Sequence, residues 1–477
     1  MTSRMRAGLV GALVFALSLV VRGLYLADGA ALLYTPEQDG TRMARRYDDT
    51  ALSILAGGGI LFPKVWDPGR TGLVSRPPGY GLFLAGVYAT FGRSFPIVAA
   101  VQDVLTSLAV LLVYGFAHRL FGLTAGILTG LLVAISPHLA ATSNLILADA
   151  IASIPLLLAF LVARPVISGD GASRNPVARL VLMGALIGAG VWIRPNVVLL
   201  GPFTALFLFF LLGRNRRSLV LSSLVALVSL LVVSPITLRN WLVFGEFVPV
   251  SINGGITLWQ GVADAGGQGY GARVWDKQVM AEEAERYGRP DYLLWWAEPD
   301  GIIRDRDRYQ RATAVIKARP LWYAEAILRR MGMMLAFTDG PRALLPEGAV
   351  VKALDSERVP LRPVPGLDAE IDETAFAGKA GAASFLRGPL RLIHQLWFVV
   401  PIMAWIGIVL SLRDAPRATL LWLIVPVYYL VFESPFLYEW RVAVPMQYFL
   451  LPFAARTMAD LLVRASGRRL EVGRVRS

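Results

Sequence analysis

Long apolar runs separated by short basic turns dominate the chain, and roughly 20 apolar residues are what a helix needs to cross a bilayer. Ten segments have that character, at about 7–28, 94–117, 122–137, 144–163, 178–193, 195–212, 218–237, 390–411, 418–434 and 444–463. Each is read as a membrane-spanning helix. Two stretches of mixed pattern interrupt the series, 29–93 and 238–389. In the first, residues 77–92 are apolar but short, and read as a juxtamembrane or re-entrant piece. In the second, residues 320–337 carry Arg329 and Arg330 near their middle, costly at the bilayer centre but natural for a helix lying in the interface. Residues 338–375, rich in Pro, Gly and charge, read as an irregular external loop. The expectation is an all-α polytopic membrane protein. Its parts are a seven-span module over 1–239, an external region over 240–389, a three-span module over 390–463 and a basic tail over 464–477.

Charge sets the orientation. Arg4, Arg6, Arg119, Arg164, Arg174, Arg179, Arg214, Arg216, Arg217, Arg413, Arg417 and the tail arginines Arg468, Arg469, Arg474 and Arg476 all fall on one side of this topology. Short loops on the other side are nearly free of positive charge, which predicts both termini in the cytoplasm and a bacterial inner membrane. With 55% hydrophobic and 17% charged residues, the chain has too little polar surface to clothe a soluble globule. The net charge of +13 is then read as membrane orientation and not as nucleic-acid binding. No Cys and only three His residues exclude disulfides and thiolate sites and argue against a multi-histidine metal cage. No cleavable signal is expected after the first apolar run, and no nucleotide-binding glycine motif or internal repeat is visible.

The first external loop carries the densest candidate chemistry. Thr35-Pro36-Glu37-Gln38 reads as a capped helix start, with the helix running to Ala56 and stopping at Gly57-Gly58-Gly59. Asp39, Met43, Tyr47 and Ala51 recur every fourth residue and share a face. Asp39 sits in the positive field of the helix start, which favours the ionised form a base or metal ligand needs. Its commoner role would be to support that helix start. Asp48 and Asp49 lie on other faces, either turned to the site or paired with Arg45 and Arg46. Arg76, held before Pro77-Pro78, stands at the outer boundary either for a lipid phosphate or as an anchor.

Ionisable residues at span ends are rare without a reason. Asp149 opens the fourth span after a loop with His138 and Asn144, Arg194-Pro195 lies between the fifth and sixth, and Arg239-Asn240 closes the seventh. Glu439-Trp440-Arg441 forms the last external turn, while Arg22 and Asp103 lie at similar depth and are expected to pair. Two acidic sites and several arginines thus converge on one outer face, as suits a membrane-bound anionic substrate.

These residues carry a resemblance. Tyr47-Asp48-Asp49 with the following helix, Arg76-Pro77-Pro78-Gly79-Tyr80, Ser136-Pro137 with Asp149, Trp192-Ile193-Arg194-Pro195, and Leu238-Arg239-Asn240-Trp241 through Asn253-Gly254-Gly255 to Gln260 stand in the order and spacing of a known group. The chain resembles the GT-C polyprenyl-phosphate-sugar glycosyltransferases, of the bacterial protein-mannosyltransferase and aminoarabinose-transferase type. The resemblance implies GT-C architecture and inverting transfer of a sugar from a polyprenyl-phosphate donor to an extracytoplasmic glycan, lipid or protein acceptor, in the bilayer and without nucleic acid. It implies a carboxylate base drawn from Asp39, Asp49, Asp48 and Asp149, and a donor phosphate held by Arg76, Arg194 and Arg239. Tyr47, Tyr80, His138, Asn240, Asn253, Gln260, Glu439 and Arg441 are the candidate substrate-binding residues, and Asp39 with Asp149 the candidate ligands of a divalent metal. One position departs from the pattern: relatives usually place the loop carboxylate one turn before the tyrosine, where this chain has Met43. Tyr270, Trp275, Trp295 and Trp296 either shape an acceptor groove or anchor the surface. A glycan polymerase or ligase of the same architecture, a non-enzymatic envelope scaffold and a transporter are the competing readings. The transporter lacks support in repeated halves or midplane breaks.

Overall fold

Apolar runs that cannot leave backbone groups unpaired in lipid must become helices. The computed structural model describes residues 3–29, 39–61, 74–168, 175–293, 300–337 and 387–465, and among these no strand occurs. In chain order the first ten helices are α1 (Ser3–Gly29), α2 (Asp39–Leu55), α3 (Gly79–Phe91), α4 (Phe95–Phe121), α5 (Leu123–Ile135), α6 (Pro137–Ser143), α7 (Asp149–Ile167), α8 (Pro176–Ile193), α9 (Leu200–Leu211) and α10 (Arg216–Phe244). A group outside the long apolar helices follows, called external after its expected side: α11 (Gly254–Asp264), α12 (Asp276–Tyr287), α13 (Gly301–Ala318) and α14 (Pro320–Ala336). The last group is α15 (Arg387–Leu396), α16 (Val399–Asp414), α17 (Pro416–Phe432) and α18 (Val444–Ala465).

All ten predicted spans contain a helix, but among the described residues five helices are long and apolar enough to cross a membrane by themselves: those at Met5–Ala27, Phe95–Phe121, Asp149–Ile167, Pro176–Ile193 and Arg216–Phe244. The expected third span over 122–137 is broken. Helix α5 ends at Ile135, and α6 departs from it at 54°. Pro137 has no N–H to continue the ladder, and Ser136 Oγ caps the new helix by accepting from the Leu139 N–H. The expected span over 390–411 is likewise divided, into α15 and α16. The Thr35–Gln38 cap, the loop over 338–375 and the basic tail fall outside the described residues.

Two surfaces distinguish the bundle. Outward, Leu9, Leu13 and Val20 on α1, Leu227, Leu230 and Leu231 on α10, and Ile402, Ile406 and Val409 on α16 are exposed, an apolar belt that only lipid can cover without penalty. Inward, Val113, Phe116, Phe160, Trp422, Phe449 and Phe453 form a continuous core, with Phe116 stacked on Trp422 at 3.8 Å between centroids. Helices α8 and α10 approach closely because Gly184 and Gly188, one turn apart, face Val225 and Val232.

The external helices have their own core of Ile256, Trp259, Val262, Val279, Ala312 and Tyr323. The two arginines of α14 divide their tasks. Arg329 is exposed, whereas Arg330 is fully buried and donates to Asp264 and the Gly261 carbonyl of α11 and to the Ser434 carbonyl beyond α17. That side chain ties the external unit to the bundle.

Candidate functional site

Asp149 is the first residue of α7, so its carboxylate lies in the positive field of that helix terminus. Opposite it, Arg194 ends α8 in an extended conformation that Pro195 enforces. The Arg194 Nη1 and Asp149 Oδ1 atoms form an ion pair whose side chains are 17% and 8% exposed, so both charges are largely withdrawn from water. Tyr429 and Glu433 at the end of α17, Arg441 and Tyr47 all act on the Arg194 guanidinium electrostatically. Asn196 lies beside Tyr429 and Glu433, and its carbonyl accepts from the Tyr428 hydroxyl at 2.7 Å.

The first external loop roofs this cluster. Tyr47 of α2 packs edge-on against Tyr80 of α3 at 4.8 Å. The Tyr80 hydroxyl donates to Gln102 Oε1 at 2.6 Å, and the Gln102 amide donates to the Ser143 and Leu145 carbonyls at 2.9 Å each. Those carbonyls belong to the turn that delivers Asp149, so Tyr80 acts by holding the entry to α7. Gly79 allows the loop to meet α8: a Cβ there would run into the Trp192 carbonyl, two residues before Arg194. Arg76 stands three residues ahead of that contact, half-buried, with its Nε unbonded.

The carboxylates of the loop separate by role. Asp48 is buried and accepts from Tyr88 at 2.9 Å and from both Nε and Nη2 of Arg93, which pins α2 against α3 and the start of α4. Arg93 is thus a partner that the sequence reading did not offer for Asp48. Asp49 is exposed. Asp39 is the first helical residue of α2, two turns before Tyr47; its side chain, with those of Arg45 and Arg46, lies outside the described residues.

Several expected site residues are engaged elsewhere. Arg239 is 1% exposed and gives Nε and Nη2 to Asn240 Oδ1, while the Asn240 amide donates to the Val248 and Val250 carbonyls. This pair closes the turn after α10, where Gly245 adopts φ +66°, with the Arg239 side chain buried. Asn253 ties its amide to the Ser75 carbonyl, and Gln260 donates to the Val274 carbonyl and Asp276. His138 is buried between Phe337 and Trp440, at 6.4 and 6.0 Å between centroids. Glu439 pairs with Arg441. Arg22 and Asp103 do not bond to each other as expected: Arg22 donates to Ser18 and Thr106, and Asp103 accepts from Ser143. Trp295 and Trp296 are outside the described residues, while Tyr270 and Trp275 are exposed.

Glu433, Asn196 and Arg93 are absent from the sequence-based set. A glutamate at the end of an apolar run is the signal that could have found Glu433, since such charges are rare there. Among the described residues no group of three or more His, Asp or Glu side chains is arranged to hold a metal. Asp149 already meets a guanidinium, so a cation on it would have to displace Arg194.

Residues 75–238 match the family model described as dolichyl-phosphate-mannose-protein mannosyltransferase, a segment that contains Arg76, Asp149 and Arg194. Among solved structures, the chain is similar to the Archaeoglobus fulgidus oligosaccharyltransferase in its apo form, at 14% identity and TM-score 0.50, covering 96% of this chain and 51% of that one. It is also similar to ArnT from Cupriavidus metallidurans bound to undecaprenyl phosphate, at 13% identity and TM-score 0.40, covering 95% and 79%. The chain spans about half the length of the archaeal oligosaccharyltransferase. No curated protein sequence matches it. Apolar helices and fold show a polytopic membrane protein with a helical fold similar to that of the archaeal oligosaccharyltransferase. The protein-mannosyltransferase resemblance seen in the sequence is carried by residues 75–238.

Proposed function

We propose that the protein transfers one sugar from a polyprenyl-phosphate donor to a hydroxyl acceptor on the extracytoplasmic side of the membrane, with inversion at the anomeric carbon. The observation that carries this reading is the Asp149–Arg194 pair at the rim of the bundle, within the segment that matches the mannosyltransferase family and under the roof of the first external loop. A carboxylate base accepts the acceptor proton as its oxygen bonds to the anomeric carbon, and the bond from that carbon to the phosphate oxygen breaks. The negative charge left on the phosphate is met by Arg194 and Arg76, fixed before the reaction begins. Arg194 is held in place by its surroundings, and Arg76 has an unbonded Nε at the same rim.

Asp39 is the first choice for the base, on the face of α2 that brings Tyr47 to the cluster. Asp49 follows, and Asp48 comes last because Arg93 and Tyr88 already claim its oxygens. Asp149 supports Arg194 and orients the acceptor. Because that carboxylate is paired, no step is routed through a metal. The one-sided arginine distribution supports a bacterial inner membrane with both termini in the cytoplasm.

The test is release of polyprenyl phosphate from a panel of synthetic polyprenyl-phosphate sugars by proteoliposomes supplied with a membrane extract as acceptor. Wild type should turn over at least one donor, and Asp39→Asn and Asp149→Asn should not, with folding intact. A folded wild type that releases nothing across the panel sinks the reading.

A further inference from the structure

The segment that carries Arg76 is fixed from two directions. After the arginine, Pro77 and Pro78 lead into Gly79, which lies against the Trp192 carbonyl. Before it, the approach to α11 grips two consecutive residues: the Ile252 N–H donates to the Val74 carbonyl at 3.1 Å, and the Asn253 amide donates to the Ser75 carbonyl. Val74 and Ser75 are buried, and Val74 packs with Val248, Ile252 and Ile302. Arg76 itself keeps an unbonded Nε.

Asn253 stands at the N-cap of α11, where an asparagine side chain ordinarily accepts from an N–H of its own helix. It makes no such bond. Asp305 of α13 covers that helix end instead, its Oδ1 accepting from the Gly255 N–H at 2.9 Å. Other groups dock the external unit on the bundle: Tyr323 donates to the Pro435 carbonyl, Arg330 to the Ser434 carbonyl, and the Leu437 N–H donates to the Thr257 carbonyl. The Asn253 amide is thus released from capping and from docking, and it reaches the carbonyl one residue ahead of Arg76.

We propose that Asn253 is a positioning residue: through the Ser75 carbonyl it fixes the backbone that presents Arg76 to the departing phosphate of the donor. This rests on the glycosyl-transfer reading, in which Arg76 meets that phosphate. Without the amide the guanidinium starts from a looser backbone, and part of its attraction for the phosphate is spent on ordering it.

The experiment uses the protein in proteoliposomes and reads inhibition by added undecaprenyl phosphate, kcat/KM for the donor that wild type turns over, KM for the acceptor, and melting temperature. Asn253→Ser keeps a good N-cap residue but is too short to reach Ser75. It should weaken inhibition roughly threefold to tenfold, the scale of one lost hydrogen bond, and lower donor kcat/KM similarly. Acceptor KM should not move, and Asn253→Gln, a poorer cap that keeps the amide, should recover part of the loss. In an Arg76→Lys background, Asn253→Ser should add less than about twofold, because both changes act through one group. Tyr323→Phe loosens the docking at the other end of the external unit; it should lower the melting temperature and leave inhibition as in wild type. An unchanged inhibition constant in folded Asn253→Ser, full additivity with Arg76→Lys, or equal weakening by Tyr323→Phe overturns the proposal. If Asn253→Ser does not fold, Asn253→Thr decides: it must weaken inhibition at least threefold, and wild-type inhibition overturns the proposal. A wild type that neither binds undecaprenyl phosphate nor turns over any donor overturns the transfer reading itself, an outcome distinct from a working wild type that Asn253→Ser matches.

Discussion

Charge is buried in two places, and it is satisfied very differently in each. In the external unit, Glu283 is 1% exposed and receives Nε and Nη2 from both Arg304 and Arg308, each 2% exposed. Burial alone would raise its pKa, yet the hydrogen bonds and charges of Arg308 and Arg304 outweigh that and hold the carboxyl below its ordinary range. At the bundle rim, Asp149 meets a single guanidinium nitrogen of Arg194. Saturated charge fixes structure. Charge with few partners keeps hydrogen-bonding capacity in reserve.

The strongest way to break this contrast is to remove one carboxylate from each place. Glu283→Ala strands buried arginines, and breaking such a cluster costs about 3–5 kcal/mol, a large share of a protein's whole stability. Folded yield and melting temperature in detergent should collapse. Asp149→Asn should melt close to wild type while donor turnover falls by roughly 10²-fold or more, the scale expected for a group placed at the reacting atoms. If Asp149→Asn unfolds the protein as readily as Glu283→Ala, the rim pair is structural and the contrast fails.

A smaller effect separates the loop carboxylates. Asp48→Asn removes a charge from Arg93 and an acceptor from Tyr88, at a cost of about 1.5–3 kcal/mol. The melting temperature should drop, and transfer per folded molecule should persist. Loss of transfer without loss of stability would return Asp48 to the candidate bases. Gly79→Ala should cost about 1–3 kcal/mol through its clash with the Trp192 carbonyl. Unlike Asp48→Asn, it should also depress transfer, because the displaced backbone leads directly to Arg194.

Periodicity and charge made the helices and the loop helix α2 legible, since hydropathy and turn chemistry are local properties. Asp149 and Arg194 were legible singly, as charges at span ends. Their pairing was not, because 45 residues and two membrane-length helices, α7 and α8, separate them. The Arg93 partner of Asp48 was hidden for the same reason: α3 carries the chain back and delivers it. Arg239-Asn240 kept its place in the motif, yet the side chains turn inward to close a backbone turn, which spacing alone does not reveal.

The subtlest test of the contrast is pH. Asp305 lies in the external unit, 6% exposed, and its Oδ1 accepts from the Gly255 N–H at 2.9 Å at the start of α11. Gly254 and Gly255 permit that approach, since a Cβ on either would meet Tyr309 or Asp305. Burial pushes the Asp305 carboxyl up to about 7 in spite of these N–H donors and nearby Arg308. A folded pKa above the unfolded value means that the native state binds the extra proton. Its contribution to stability is therefore full below pH 4 or so and is lost as pH rises through about 7. Acidifying from pH 8 to pH 6 should raise the melting temperature, with a slope of at most ~1.4 kcal/mol per pH unit from this one group. Glu283, held low by its arginines, loses its contribution only when pH falls through that depressed value, so it stays silent in this window. Asp305→Asn should flatten the slope while Glu283 still holds the unit together. A slope that survives Asp305→Asn would mean that another buried group titrates there, and that saturation in the external unit is less complete than its Glu283 cluster implies.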